Sequence, residues 1–284
     1  MLVSMAARER QRLDPGWDDA GDWWGLGAFL LLLALLAVAE LIIPARQVAR
    51  EDARRLPTNF GFGLINGGLA AMLPLSAVIA AEWARGEGIG LFNLVAVPAP
   101  ITTTATVLLR SLLAYLLHRL FHASPWLWRI HRVHHCDTAL DLSTGFRSHP
   151  LELMLIAAGA SAAAILLGLS PEALLAYELA AIALVLATHA NWRLPERLDR
   201  PLRWLLVTPA MHHVHHSAHQ PETDSNYGEV FSVWDRLLGT YSRPERRATI
   251  RLGLGERYDP EAAKLAAQLL LPLRDPSAGP LKSR

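Results

Sequence analysis

Only one cysteine, Cys136, occurs among the 284 residues. A single thiol excludes an internal disulfide framework and any CxxC zinc or redox motif. An excess of either charge is missing too. Lys+Arg 27 stands against Asp+Glu 26, a net charge of +1, so a basic field for nucleic-acid binding is excluded. The first 22 residues have no short apolar core of the kind a secretory signal carries. Histidine is absent from 182 residues, because all 12 lie between His118 and His219. Charge as a whole is scarce at 19%, while 52% of residues are hydrophobic.

The hydrophobic residues gather into long runs. Trp23 to Ile43 has a single charge, Glu40, and Phe60 to Ala81 has none. Ile101 to Leu117 is broken only by Arg110, Leu153 to Leu169 is uncharged, and Ala173 to Trp192 carries only Glu178. A helix crosses the hydrocarbon core with roughly 20 residues. Five spans therefore fit, and helices apolar on every face are not those of a soluble surface. Ile89 to Pro100 is apolar as well, but Pro98 and Pro100 break it, which predicts a re-entrant or interfacial segment. The expected fold is all-α: a polytopic bundle of about four to five transmembrane helices with a helical cap. Its parts are a polar segment at 1–22, an N-terminal transmembrane hairpin at 23–93, a catalytic domain at 94–242 and a tail at 243–284. Within the tail, Ala262 to Leu273 reads as an amphipathic helix and Ser277 to Arg284 as disordered.

Arginine in the loops sets orientation. Arg46, Arg50, Arg54 and Arg55 follow the first span, and Arg119, Arg129, Arg132 and Arg147 lie between the third and fourth. This places every histidine-bearing segment on the cytoplasmic side, of the inner or plasma membrane in a bacterium. Arg8, Arg10 and Arg12, ahead of the first span, run against that parity.

Three histidine groups repeat one spacing: His118-x-x-x-His122, His131-x-x-His134-His135 and His212-x-x-His215-His216. Residues three and four apart share a helix face, so two imidazoles there can hold one metal ion. Eight such ligands exceed the four that a tetrahedral zinc takes and suffice for two metals. Imidazole suits zinc, copper, iron and nickel alike. His189, at the end of the fifth span, is a ninth candidate ligand. His149 competes between metal, capping and supporting roles. Metal-bound histidines give their second N–H to a carboxylate or carbonyl, for which Glu152, Asp137, Asp141 and Asp224 are the available carboxylates, with Asn191 and Asn226 as available amides. Arg110 and Glu178 stand at similar depth in parallel spans, so they are expected to pair or to line a substrate channel.

The motifs His118–His122, His131–His135, Arg147–Glu152 and His189–Asn191 resemble the fatty acid hydroxylase / sterol desaturase superfamily. So does Thr208–Ser217, followed by Asp224–Gly228 and Trp234–Thr240. The resemblance spans roughly Leu94 to Tyr241. It implies a membrane di-iron enzyme that oxidises a lipid C–H bond with dioxygen. His118, His122, His131, His134, His135, His212, His215 and His216 would be iron ligands, with His189 added. It further implies a separate electron donor, of ferredoxin or cytochrome type, and its reductase. Two other classes stand against it. A zinc-dependent membrane hydrolase would want a catalytic Glu, yet no HExxH is present. A histidine-rich metal transporter would place its histidines within the spans.

Overall fold

A computed structural model of the chain describes residues 19–47, 50–73, 76–244, 250–254 and 261–274. The polar segment expected at 1–22 lies mostly outside the described residues, and the tail segment Ser277 to Arg284 lies wholly outside them. Among the described residues the only regular structure is helical, with isolated bridges such as Leu206 to Phe231 and no strand. The protein is a multi-pass membrane protein, with five stretches long and apolar enough to cross a bilayer.

Helix α1 spans Asp19–Ile42, α2 Leu56–Met72, α3 Ala77–Gly86 and α4 Leu91–Leu94. The longest, α5, runs over Ala99–Ala123, and α6 over Pro125–His135. An antiparallel hairpin follows, α7 at Pro150–Leu167 and α8 at Pro171–His189. Shorter helices build the cap: α9 at Glu196–Leu202, α10 at Pro209–His215, α11 at Gln220–Thr223 and α12 at Val233–Leu237. The tail contributes α13, Leu265–Arg274.

The second apolar run, expected as one span over Phe60 to Ala81, is two helices. Helix α2 ends where Leu73 turns extended (φ −106°, ψ 128°). The next residue in the sequence is Pro74, which disfavours helical backbone before it and has no N–H to donate. The segment from Ile89 does not enter the bundle. Gly90, at φ 101°, meets the α7–α8 turn so closely that a Cβ would sit 2.3 Å from the Gly168 nitrogen. That turn is the end of the bundle away from the histidines.

Local sequence explains where the site-bearing helices begin. Helices α6, α7, α8 and α10 each start with a capping side chain followed by proline: Ser124-Pro125, His149-Pro150, Ser170-Pro171 and Thr208-Pro209. The cap accepts from an early backbone N–H, and proline fits the first turn because its missing N–H has no partner there anyway. Small residues let the bundle close. Ala77 and Ala81 of α3 pack against Ala160 and Ala164 of α7, the close approach by which transmembrane helices associate. By contrast, α1 leaves Leu30, Leu31, Leu35 and Leu41 exposed, an apolar surface suited only to lipid.

The cap does not simply sit on top. Val230 packs on Tyr177 and Ala181 of α8, with Val107 of α5 beside them. Trp234 donates to Ser111 Oγ at 3.0 Å, and Tyr115 bonds Thr240 at 2.9 Å. The loop following the last histidine group is thereby threaded between α5 and α8, down to the depth of Arg110.

Candidate metal centre

All nine clustered histidines converge at one end of the bundle. They form two groups, His118, His122, His131, His135 and His215, and His134, His189, His212 and His216. Within each group the candidate ligand atoms lie within 4.8 Å of one another. The spacing that puts residues four apart on one helix face supplies His118 with His122 from α5, and His131 with His135 from α6. The doubled histidines separate the groups: His134 turns to the second while its neighbour His135 turns to the first, and His216 and His215 divide likewise.

What surrounds each ring decides what it can do. A carbonyl oxygen only accepts, so a ring nitrogen facing one carries the proton. His118 Nδ1 donates to the Tyr227 carbonyl at 2.9 Å, His134 Nδ1 to Arg147 at 3.0 Å, His189 Nδ1 to Val185 at 2.7 Å and His215 Nδ1 to Ser225 at 2.8 Å. Carboxylates do the same for two more: Glu152 accepts from His131 Nδ1 at 2.7 Å, and Asp224 from His122 Nδ1 at 3.3 Å. Burial then disfavours the charged form of several rings. His134, His135, His212 and His216 are held well below the usual histidine range by desolvation first and by one another's charge second. Desolvation pushes His215 down to about 3.

A neutral imidazole protonated at Nδ1 presents a bare lone pair at Nε2. His134 and His189 therefore face each other lone pair to lone pair across 3.0 Å, a contact that cannot be a hydrogen bond. The Nε2 atoms of His118 and His131 stand 3.1 Å apart. The Nε2 atoms of His212 and His216 also approach that of His189, at 2.9 and 3.2 Å. His122 Nε2 and His215 Nε2 are buried with no hydrogen-bond partner. Metal–imidazole bonds near 2.1 Å set neighbouring ligand nitrogens about 3 Å apart, so a cation in each group fits this arrangement. Nine imidazoles suit iron, zinc, copper or nickel, and not the hard cations that prefer oxygen.

Other sequence candidates lie elsewhere. His149 is in neither group: its Nδ1 caps α7 by accepting from Leu151, and its Nε2–H donates to Leu269 of α13 at 3.1 Å. Asn191 clasps the Arg46 backbone, donating to its carbonyl at 2.9 Å and accepting its N–H at 3.0 Å. Asn226, at φ 55°, ties Met211 to Ser242. All three spend their polar atoms on backbone. Arg110 and Glu178 form a two-point ion pair, at 2.7 and 3.2 Å.

A cavity of about 130 Å³ opens beside the rings. Ala114, Leu117, Phe121, Ile156 and Val185 give it apolar walls, and His118, His131, His134, His189 and His212 border it. Glu229 also lines it, a residue that sequence reasoning missed because it sits in a loop without a motif. Burial raises its carboxyl above the usual range. Arg147 was seen as part of a motif, but its work was not legible. Fully buried, it donates to the Val133 and Ala262 carbonyls, to Asn59 and to Gln268. One side chain thus locks α2, α6 and the tail around the carbonyl that orients His134.

Comparison with known proteins agrees with this geometry. The fatty acid hydroxylase family matches residues 103–240, which include all nine rings. An ornithine lipid hydroxylase from Rhizobium tropici is 32% identical over 140 residues, 49% of this chain and 41% of that protein. Human alkylglycerol monooxygenase is 28% identical over 140 residues, 49% of this chain and 30% of the other. Human cholesterol 25-hydroxylase is 30% identical over 130 residues, 44% and 46% of the two. The chain thus spans less than half the length of these relatives. No solved structure matches it. The residues that bring the histidines together are those that match the fatty acid hydroxylase family.

Proposed function

We propose that the protein is a membrane lipid hydroxylase or desaturase that works with two iron ions, dioxygen and electrons from a separate donor protein. The observation that carries this reading is the inward convergence of nine imidazoles at the wall of an apolar cavity inside a membrane bundle. His118, His122, His131, His135 and His215 would hold one ion, and His134, His189, His212 and His216 the other. An unactivated C–H bond offers no carbonyl or acid to polar catalysis, so bound iron would supply the oxidising chemistry.

The protein's own share is position and environment. Glu152, Asp224 and the carbonyls of Tyr227, Arg147, Val185 and Ser225 fix each ring with its lone pair inward, a supporting layer that tunes affinity as much as the ligands do. Leu117, Phe121, Ile156 and Val185 would take an alkyl segment and exclude water from the reacting carbon. For a hydroxylation, one oxygen atom ends in the new hydroxyl and the other in water. The donor provides a pair of electrons, and a pair of protons enters from solvent. The ligand geometry favours this over the two rivals. Nine nitrogens exceed what a hydrolytic zinc takes, and the rings gather in one place rather than along a path across the bundle. Residues 94–242 would form the catalytic domain, with the cap on the cytoplasmic side according to loop arginine.

Lipid profiling by mass in cells with and without the protein tests the reading. A lipid heavier by one oxygen, or lighter by two hydrogens, is expected only with the intact chain and not with His134→Ala. Iron analysis and substrate-coupled oxygen uptake on the purified protein complete it. Purified protein holding a single zinc, with no oxygen uptake, would remove it.

A further inference from the structure

The cap holds a second cavity, of about 770 Å³, that the histidine centre does not use. Five arginines line it, Arg193, Arg200, Arg203, Arg236 and Arg243, against one acid, Glu196. Part of this set is already ordered. Arg236 stacks on Trp204 and Tyr241, its guanidinium carbon 4.3 and 3.8 Å from the ring centroids. Arg203 is bound by Asp199 at 3.1 Å and by Glu196. Arg193 and Arg200 are exposed, with no ion-pair partner among the described residues. A concave surface with this charge takes an anion of more than one negative oxygen, the chemistry that guanidinium forks match.

The source of that anion follows from position. Helix α9 begins seven residues after α8 ends at the metal end of the bundle. Its arginines are interleaved with bare apolar residues: Leu198, Leu202, Trp204 at 67% exposure and Leu205 at 58%. Leu237 and Leu238, next to Arg236, are exposed as well. A short helix that shows leucine and tryptophan beside arginine, at the end of a span, lies in the bilayer interface. Phosphates of the lipid headgroups occupy that level, and they attract arginine there. A soluble anion would give the exposed leucines no partner.

We propose that the arginine cavity binds the phosphate of an anionic phospholipid from the leaflet in which the histidine centre lies. The site rests on the membrane placement of the chain and not on the proposed oxidation. Ala210 of α10 also lines it, two residues before His212, so lipid bound here bears on the helix that carries two of the clustered histidines, His212 and His215.

The test uses the full chain in non-ionic detergent, with phosphatidylglycerol, phosphatidylcholine and inorganic phosphate as separate probes and native mass spectrometry or fluorescent-lipid titration as readout. Phosphatidylglycerol is expected to bind with clear preference over both other probes. Arg193→Gln with Arg200→Gln should weaken it more than tenfold, at roughly fivefold per interfacial arginine. Arg193→Lys with Arg200→Lys should restore most of the affinity. Arg197→Gln, exposed on the same helix but off the cavity, should leave it unchanged. Metal content, equal in all variants, reports that each has folded. Equal affinity for phosphatidylcholine, tight binding of phosphate alone, or an equal loss with Arg197→Gln would overturn the site. So would a double glutamine variant that keeps phosphatidylglycerol but loses an acidic ferredoxin, since the surface would then serve protein docking.

Discussion

Glu152 holds the Nδ1–H of His131 at 2.7 Å with one oxygen, while its other oxygen is buried at the cavity wall without a hydrogen-bond partner. The residue therefore aims a ring of α6 from the first turn of α7, 21 residues on in sequence. Removing it frees the imidazole to rotate or change tautomer. Glu152→Ala should weaken metal binding by roughly 10- to 100-fold, read by competition with a chromogenic chelator. Glu152→Gln keeps an accepting oxygen and should lose less. Equal losses in the two variants would show that the carboxylate's charge, and not its aim, is what matters.

His189 and His149 both stand at ends of bundle helices, and one substitution in each separates ligand from cap. His189→Ala leaves three rings in the second group, so about half of the bound metal should disappear from the isolated protein. His149→Ala removes an N-cap and a bond to the tail. It should keep its metal and lose about 1 kcal/mol of stability, visible as a lower thermal midpoint. Full metal content in His189→Ala would place that ring outside the centre.

Arg110 and Glu178 invite a double-mutant cycle. Arg110→Met alone strands a carboxylate inside the bundle, a loss of about 3–5 kcal/mol for a broken buried pair. Adding Glu178→Leu should recover most of it, because the bare charge goes with its partner. Thermal unfolding in detergent measures both. A double variant no better than the single one would mean that the two groups act separately.

Much of this is legible in the sequence. The histidine spacing fixed which rings share a face, and charge scarcity fixed the spans. What escaped was long-range. Nothing local in the sequence says that Asn191 would spend its amide on Arg46, or that His149 would reach Leu269 across 120 residues. Glu40 reads only as a charge near the end of a span. In the structure it accepts the N–H groups of both Leu142 and Asn191, at 2.7 and 2.6 Å, and so ties α1 to the loops behind the centre. The break between α2 and α3 was hidden by uniform apolarity, although Pro74 marked the place. Residues such as Glu229 and Arg147 take their roles from what folds onto them, and periodicity carries no record of that.

Removing the metal should expose the stress built into the rings. Without a cation, the lone pairs of His134 and His189 meet at 3.0 Å, so chelation should lower the thermal midpoint and either iron(II) or zinc should restore it. The metal-free protein should also depend on pH in a fixed direction. Folding lowers the affinity of His134, His135, His212 and His216 for protons below the ordinary value of 6.5. Below that value the unfolded chain takes up protons that the folded chain refuses, and folding weakens by up to about 1.4 kcal/mol per unit for each ring. Above it no such difference remains. The midpoint of metal-free protein should therefore be flat from pH 8 to 7 and fall steeply toward pH 5. Metal-loaded protein should resist until protons compete for the ligands. A metal-free midpoint that rises on acidification would mean the rings are solvated, and the inward-facing lone pairs would have to be given up.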